Sequence, residues 1–528
     1  MSFLSSFWSF LDPALTPPPD DDSDDFVAYE GVQIPFSYLN VDPAAEVLTT
    51  GLVINASLDP QILERTWRTL VEQKFPRAGA RFRGGILRVI PFLLSIPDTF
   101  TSDTPSTAFT AKHYREPYRT SARPNIDILL NSSHSEPTFC SFPSLRQYLV
   151  SEERLQDADS FMYRASDHVR FSENAVFNIH VSVFDDLTLI GITYFHVTSD
   201  VGGIRTLLHS WTRLISGESI TAIEGMDRDV PPVNCVRLSG DFQDFLECNV
   251  NTIRGYWHQS MPPIGSFQEI LATAVDDRAT PNLRVMSRIR RWMYGPDGER
   301  WLVRVPKTFL DDRRREILEN LKLNGSTESV DRSDVLLAWW FKTTYSNRWV
   351  FDTTPISLHI SVDLRPLIFA EDSAMSGPYI NQASSTIAIE PPIPANAFRK
   401  MPLSELALLI HRARVEYHKD RTALARELWW REQNPGRPLH RCPPGGEATL
   451  QTDWSEARLA GMDFSGARAR GSESKGTGRV VFVVIENLEE EKGTGEILME
   501  DENTVWMSQV KTRNDWESLR RRGGFNFV

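Results

Sequence analysis

Cysteine is scarce in this chain, 4 residues in 528. Cys140, Cys235, Cys248 and Cys442 stand far apart, with no C-x-x-C pair and no Cys/His cluster. That spacing gives neither a disulfide framework nor a structural zinc site, and it reads as reduced thiols in a cytosolic protein without a metal. Long apolar runs are missing too, since a membrane span needs about 20 unbroken apolar residues. The N-terminus, MSFLSSFWSFLDP, lacks the positive segment and small-residue cleavage site of a signal peptide. Its residues Phe3, Leu4, Phe7, Trp8 and Leu11 fall on one side of a short helix. That side docks on the protein body, because the following PPPDDDSDD would be repelled by anionic lipid. Without a secretory route the sequons at Asn55, Asn131 and Asn324 carry little meaning. Basic excess is also lacking: 57 Lys+Arg stand against 70 Asp+Glu, a net charge of −13. This argues against nucleic acid as a partner while leaving room for a small phosphorylated ligand. No G-x-S-x-G elbow occurs, so nothing marks a serine acyl-enzyme, and no repeat of fixed period is visible.

What remains is globular composition, 41% apolar and 24% charged, in a length that suits two or three domains or one large two-lobed body. Residues 1–25 read as a tail and a Pro/Asp linker, 26–237 as an N-terminal lobe, 238–285 as a crossover of weak periodicity, and 286–528 as a C-terminal lobe. In the first lobe VLTTGLVINA reads as a strand. Asp59-Pro60 then opens a helix carrying Ile62, Leu63, Trp67, Leu70 and Val71. FNIHVSVFDDLTLIGITYF reads as a hairpin turning at Asp185-Asp186. It delivers the chain to HVTSDVGG and a helix with Ile204, Leu207, Leu208, Trp211 and Leu214 on one side. In the second lobe we expect a strand over 301–305, a charged helix over 308–321 and a helix capped by Ser333. A strand over 356–364 and a mostly helical stretch over 403–430 follow. After a flexible loop (467–478), two short strands, VVFVVI and GEILM, surround a charged turn.

The lead chemical signal is His196-Val-Thr-Ser-Asp200-Val-Gly202-Gly203. With 11 histidines in the chain, one chance H-x-x-x-D match is unremarkable. A second indeed occurs at His359-Ile-Ser-Val-Asp363, inside an alternating strand where both residues share a polar face. The first match differs by context, because a strand, a histidine, a glycine-bearing turn and a helix follow one another, and such loops display functional side chains.

Several further segments stand in a telling order. They are LDPQILERTWRTLVEQKFPRAGARF, the HVTSDVGG loop, DRSDVLLAWWF, SVDLRPL, GPYINQASS and QTDWSEARLAGMDFSGA. The ordered set resembles the BAHD acyltransferases, specifically the fungal branch that includes trichothecene- and ergot-alkaloid-type O-acetyltransferases. Two motifs depart from the family: DFSGA replaces DFGWG, and Ile380 stands where Gly usually precedes Asn381. Phe195 occupies the place where related condensation domains carry an extra histidine, which favours a free-standing transferase.

The resemblance implies a two-lobed, chloramphenicol-acetyltransferase-like α/β fold of mixed sheets flanked by helices, with a channel between the lobes. It implies acyl-CoA, acetyl-CoA first, as co-substrate, and a small secondary metabolite as acceptor. His196 would be the general base, and histidine's intrinsic pKa near ~6.5 suits it to take a hydroxyl proton and return it to the leaving thiolate. Thr452 and Trp454 would contact the oxyanion and the reaction centre. Asp200, paired with the strand arginine Arg365, would hold the loop in shape, Gly202 would allow close approach, and Asp463 would support the site. N-acylation, condensation-type ester or amide formation, and a catalytically silent metabolite-binding relative are the alternatives. The expected state is a cytoplasmic monomer.

Overall fold

The run VLTTGLVI is strand β2 (Val47–Ile54), and its residues are buried on both faces, as continuous β-branched and aliphatic runs in central strands are. The computed structural model describes residues 31–35, 47–83, 93–120, 135–141, 144–151, 175–220, 298–368, 379–419, 424, 446–469, 476–487, 493–521 and 526–527. The tail and linker at 1–25, the crossover at 238–285, Asn131, Cys235, Cys248 and Cys442 lie outside them. So does all of the expected helix beyond residue 419 apart from Leu424.

Strand β2 is the second strand of a five-stranded mixed sheet. Its neighbour β8 (Thr188–Phe195) pairs antiparallel with β7 (Phe177–Val183), the expected hairpin, and β7 pairs parallel with the edge strand β5 (Ala108–His113). The other edge is β13 (Val480–Asn487), antiparallel to β2. Two helices cover this sheet. In α1 (Pro60–Gln73) Asp59 Oδ1 accepts from Gln61 N at 2.9 Å, and Leu63, Trp67, Leu70 and Val71 are buried. It meets α3 (Val201–Ile215) through Trp67 and Trp211, edge to face at 5.0 Å, with the Trp211 indole N–H donating to Thr66. A one-turn helix, α2 (Arg146–Leu149), rests on the facing pair Gly51 and Gly191. A Cβ on Gly191 would lie 1.8 Å from the Leu149 carbonyl oxygen.

Downstream segments build an eight-stranded mixed sheet with β11 (Ser384–Pro394) at one edge. Inward from it come β10 (Pro355–Asp363), β12 (Glu447–Asp453), β14 (Thr494–Glu500), β15 (Thr504–Lys511) and β9 (Glu299–Pro306). The sheet ends in β6 (Thr138–Ser141) and β16 (Asn526–Phe527). One face, with Ile356, Leu358, Ile360, Ile497, Met507 and Val305, forms a second core with α4 (Lys307–Leu323), α5 (Arg332–Tyr345), α8 (Leu403–Lys419) and α9 (Arg513–Arg521). Two short helices, α6 (Arg365–Ile368) and α7 (Ala397–Lys400), flank these strands. Strands β1 (Gly31–Pro35), β4 (Leu93–Pro97) and β3 (Arg81–Arg83) form a separate three-stranded sheet. Mixed sheets flanked by helices are the architecture the sequence led us to expect.

One local expectation is corrected. The α5 helix begins at Arg332 with Asp331 as N-cap rather than Ser333, because Asp331 and Asp334 have capping-box spacing, and Asp334 Oδ2 accepts from Asp331 N at 2.9 Å. VVFVVI and GEILM are both strands, as expected, and they serve different sheets: β13 joins the sheet of β2, whereas β14 joins the sheet of β10. In return β6, from the first third of the chain, pairs with β9. No helix among the described residues is long and apolar enough to cross a membrane.

Candidate active site

Strand β8 ends at Phe195, and a short 3₁₀ turn, His196–Thr198, carries the chain into α3. His196 is half-buried. Its Nδ1 lies 3.1 Å from the Ser199 carbonyl oxygen. A carbonyl only accepts, so Nδ1 holds the proton of the neutral ring and Nε2 keeps a lone pair. The loop thus fixes both the tautomer and the direction of the imidazole.

Asp200 points into the protein. It is the N-cap of α3, with Oδ1 accepting from Gly203 N at 3.0 Å, which is what a short acid at that position does for orphan helix donors. The same carboxylate takes a forked ion pair from Arg365, 2.6 Å from Nη2 to Oδ1 and 3.2 Å from Nη1 to Oδ2, and accepts from Ala383 N at 2.7 Å. Arg365 is the first residue of α6 rather than a strand residue, since β10 ends at Asp363. It also donates to Asp363 Oδ1, to Tyr379 O and to Asn381 O. Both partners of the pair are at most 5% exposed. Burial alone would raise the Asp200 carboxyl, but the Arg365 charge and the hydrogen bonds hold it below the usual carboxylate range. For Arg365 burial opposes the charge, yet the two carboxylates push it upward. Asp363 is raised by burial and by the Asp200 charge, against Arg365.

The glycines explain how the two sheets come this close. A Cβ on Gly202 would sit 2.2 Å from Arg365 Nη1, and one on Gly203 2.1 Å from the Ile380 carbonyl oxygen. That carbonyl accepts from Ser199 Oγ at 2.8 Å. Ile380 itself is a core residue, so the replacement of the family's glycine is absorbed by packing. Segment 379–383 therefore clasps the His196 loop, and Ser199, Ile380 and Asp363 are members of the site that sequence reading missed. All three stand in segments quoted above, HVTSDVGG, GPYINQASS and SVDLRPL, which gave none of them a role.

Thr452 belongs to β12. Register pairs it with Glu496 and places it on the sheet face opposite Gln451 and Ile360. That face carries Ser357, His359, Ser361 and Asp363 on β10. Toward its other end Trp506 meets Phe482 of β13 at 5.4 Å, so the face looks at the five-stranded sheet. His359, expected on a polar face, lies on that face and is 2% exposed because the other sheet covers it. Trp454 is 2% exposed within the core that also holds Ile204 and Leu207. Its backbone N–H donates to Ile497 O. Asp463 is not brought to His196: it is exposed, its carboxylate accepts from Ser465 N at 2.7 Å, and its backbone forms an isolated antiparallel β-bridge with Arg479.

Just past Thr452, Asp453 accepts from Ser455 N and Oγ. Burial together with the charges of Asp453 and Asp363 pushes Glu456 up to about 7, against Arg414 and Arg205. Asp331, Asp334 and His411 also approach one another within 4.8 Å. There Asp334 is already bound by Arg414 at 2.7 Å and His411 at 2.8 Å, a charged knot in the helix layer. A cavity of about 710 Å³ lined by Glu328, Ser329, His411, Arg412 and Lys419 lies in that layer, on the far side of the sheet from Thr452.

No protein-family model matches the chain. Among curated proteins, the acetyltransferase adrJ of Penicillium rubens is 24% identical over 438 residues, covering 80% of this chain and 79% of that one. The O-acyltransferase pboC of Aspergillus ustus is 22% identical over 428 residues, covering 78% and 79%. Among solved structures, TRI101 of F. sporotrichioides, complexed with coenzyme A and T-2, superposes with a TM-score of 0.60 at 15% identity. That match covers 93% of this chain and 97% of that one. In sequence and in fold the chain is thus similar to the fungal BAHD-type O-acyltransferases, the family its ordered motifs resemble.

Proposed function

We propose that this protein moves an acyl group, acetyl first of all, from acyl-CoA to a hydroxyl of a small secondary metabolite, with Nε2 of His196 as general base. The observation that carries the reading is the His196 ring, half-buried, with Nδ1 committed to Ser199 O and Nε2 left basic. Nε2 takes the hydroxyl proton as the acceptor oxygen attacks the thioester carbon. The tetrahedral intermediate collapses with cleavage of the C–S bond, and the imidazolium returns the proton to the coenzyme A thiolate. The products are an ester and free coenzyme A, with no acyl-enzyme. Thr452, on the face turned toward the five-stranded sheet, donates to the oxyanion, and Trp454 holds the end of β12 from the core side. Asp200 and Arg365 act through the loop that carries His196. The same reading takes the protein as a cytoplasmic monomer.

The test is purified protein with acetyl-CoA and paired alcohol and amine acceptors, the candidates being metabolites that accumulate one acyl group short when the protein is removed. We expect ester formation, and a fall of about 10²–10⁴-fold in His196→Ala with an unchanged melting temperature. Equal, slow turnover by both proteins would favour the silent metabolite-binding relative. Preference for the amine would favour N-acylation.

A further inference from the structure

Asn381 is fully buried in the segment that clasps the His196 loop. Its backbone is employed: the carbonyl accepts from Arg365 Nη2 at 2.7 Å. Its side chain is not. Neither Oδ1 nor Nδ2 has a hydrogen-bond partner, and the Oε1 of the adjacent Gln382 is buried and unpaired as well. An unmade hydrogen bond of this kind is destabilising, and a leucine of similar size would fill the space without that cost. Native proteins rarely leave such groups, and one that stays beside a candidate catalytic loop calls for an explanation, a catalytic role among them.

The place is specific. Two hydrogen bonds separate Asn381 from the imidazole, one from Nδ1 of His196 to Ser199 O and one from Ser199 Oγ to the carbonyl of Ile380, its immediate neighbour. Attack on a thioester creates an oxyanion within reach of that ring. A dry, fixed N–H donor stabilises such charge without reorganisation.

We propose that Asn381 is a substrate-contacting residue whose Nδ2–H donates to the acyl carbonyl oxygen as it becomes an oxyanion, alongside Thr452. No bond forms to Asn381 and no proton leaves it; the acceptor proton still passes through His196 to the thiolate. The proposal rests on the acyl-transfer reading above.

The experiment compares wild type, Asn381→Leu and Asn381→Asp by thermal melting without ligand and by steady-state kinetics. Asn381→Leu should melt no lower than wild type, while kcat falls about 10²–10³-fold and the KM values for acetyl-CoA and acceptor stay put. Asn381→Asp, which keeps the shape but presents only acceptors, should lose as much kcat. A Leu variant that loses melting temperature and activity together overturns the proposal, since the amide would then hold the fold. So does a Leu variant with wild-type kcat, or one in which only KM rises. A wild type that transfers nothing to any acceptor sinks the acyl-transfer reading itself, whereas an active wild type matched by the Leu variant sinks this proposal alone.

Discussion

Asp200 does two tasks with one carboxylate: Oδ1 closes the first turn of α3 and takes one arm of the Arg365 fork, while Oδ2 takes the other arm and the Ala383 N–H. Removing the cation would strand a buried anion, which costs about 3–5 kcal/mol. Arg365→Leu should therefore lose stability of that size in urea unfolding, and Arg365→Lys should fall between, because an ammonium cannot reproduce the fork. At this scale the sequence was informative where context could be read: His196 after a strand, Asp200 before a helix, glycines between. The partner of Asp200 was legible only through family resemblance. Asn381 stood in a quoted motif without a role, since an orphaned amide is a property of its surroundings. Asp463 shows the converse, a carboxylate that motif order assigns to the site and that local hydrogen bonds hold at the surface.

Among the elements, β10 shows what alternation reveals and what it hides. Ile356, Leu358, Ile360 and Val362 alternate with Ser357, His359, Ser361 and Asp363, so two faces could be told apart from the sequence. Alternation cannot say what covers the polar face. Here another sheet covers it, so the polar row is interior rather than solvated. The facing glycines of β2 and β8 are equally silent in one dimension, because Gly191 looks like a flaw in a good strand until α2 is seen resting on it. Adding a methyl group there would drive it into the Leu149 backbone. Gly191→Ala should thus cost about 1–3 kcal/mol or more, read as a lower melting temperature with α2 displaced.

For the whole molecule, carboxylates gather where β10 and β12 end, and they set its response to pH. Glu456 is raised to about 7 from 4.5, by burial first and then by Asp453 and Asp363; those two are raised as well. A raised acid binds its proton more tightly in the folded state. Its contribution is present below the ordinary pKa and is lost as pH rises through about 7. Glu456 should therefore contribute a decline in melting temperature from pH 5 to pH 8 that Glu456→Gln removes; Glu456 is exposed, so solvent screens the effect and keeps it small. Asp200 has the opposite sign, stabilising above the ordinary carboxylate range and failing only in strong acid. The division into two sheet-and-helix bodies was legible from pattern and family resemblance. The exchange of β6 and β13 between the sheets was not, because strand pairing across hundreds of residues leaves no local trace.

That exchange bears on how the polypeptide is born. Arg479 reaches back to Asn55 across 424 residues, and β13 supplies the border of a layer whose other members leave the ribosome much earlier. Until β13 has been made, β2 presents on that side a bare row of amides and carbonyls, the kind of edge that invites association with other chains. Closure of that layer therefore waits on a strand made long after its neighbour.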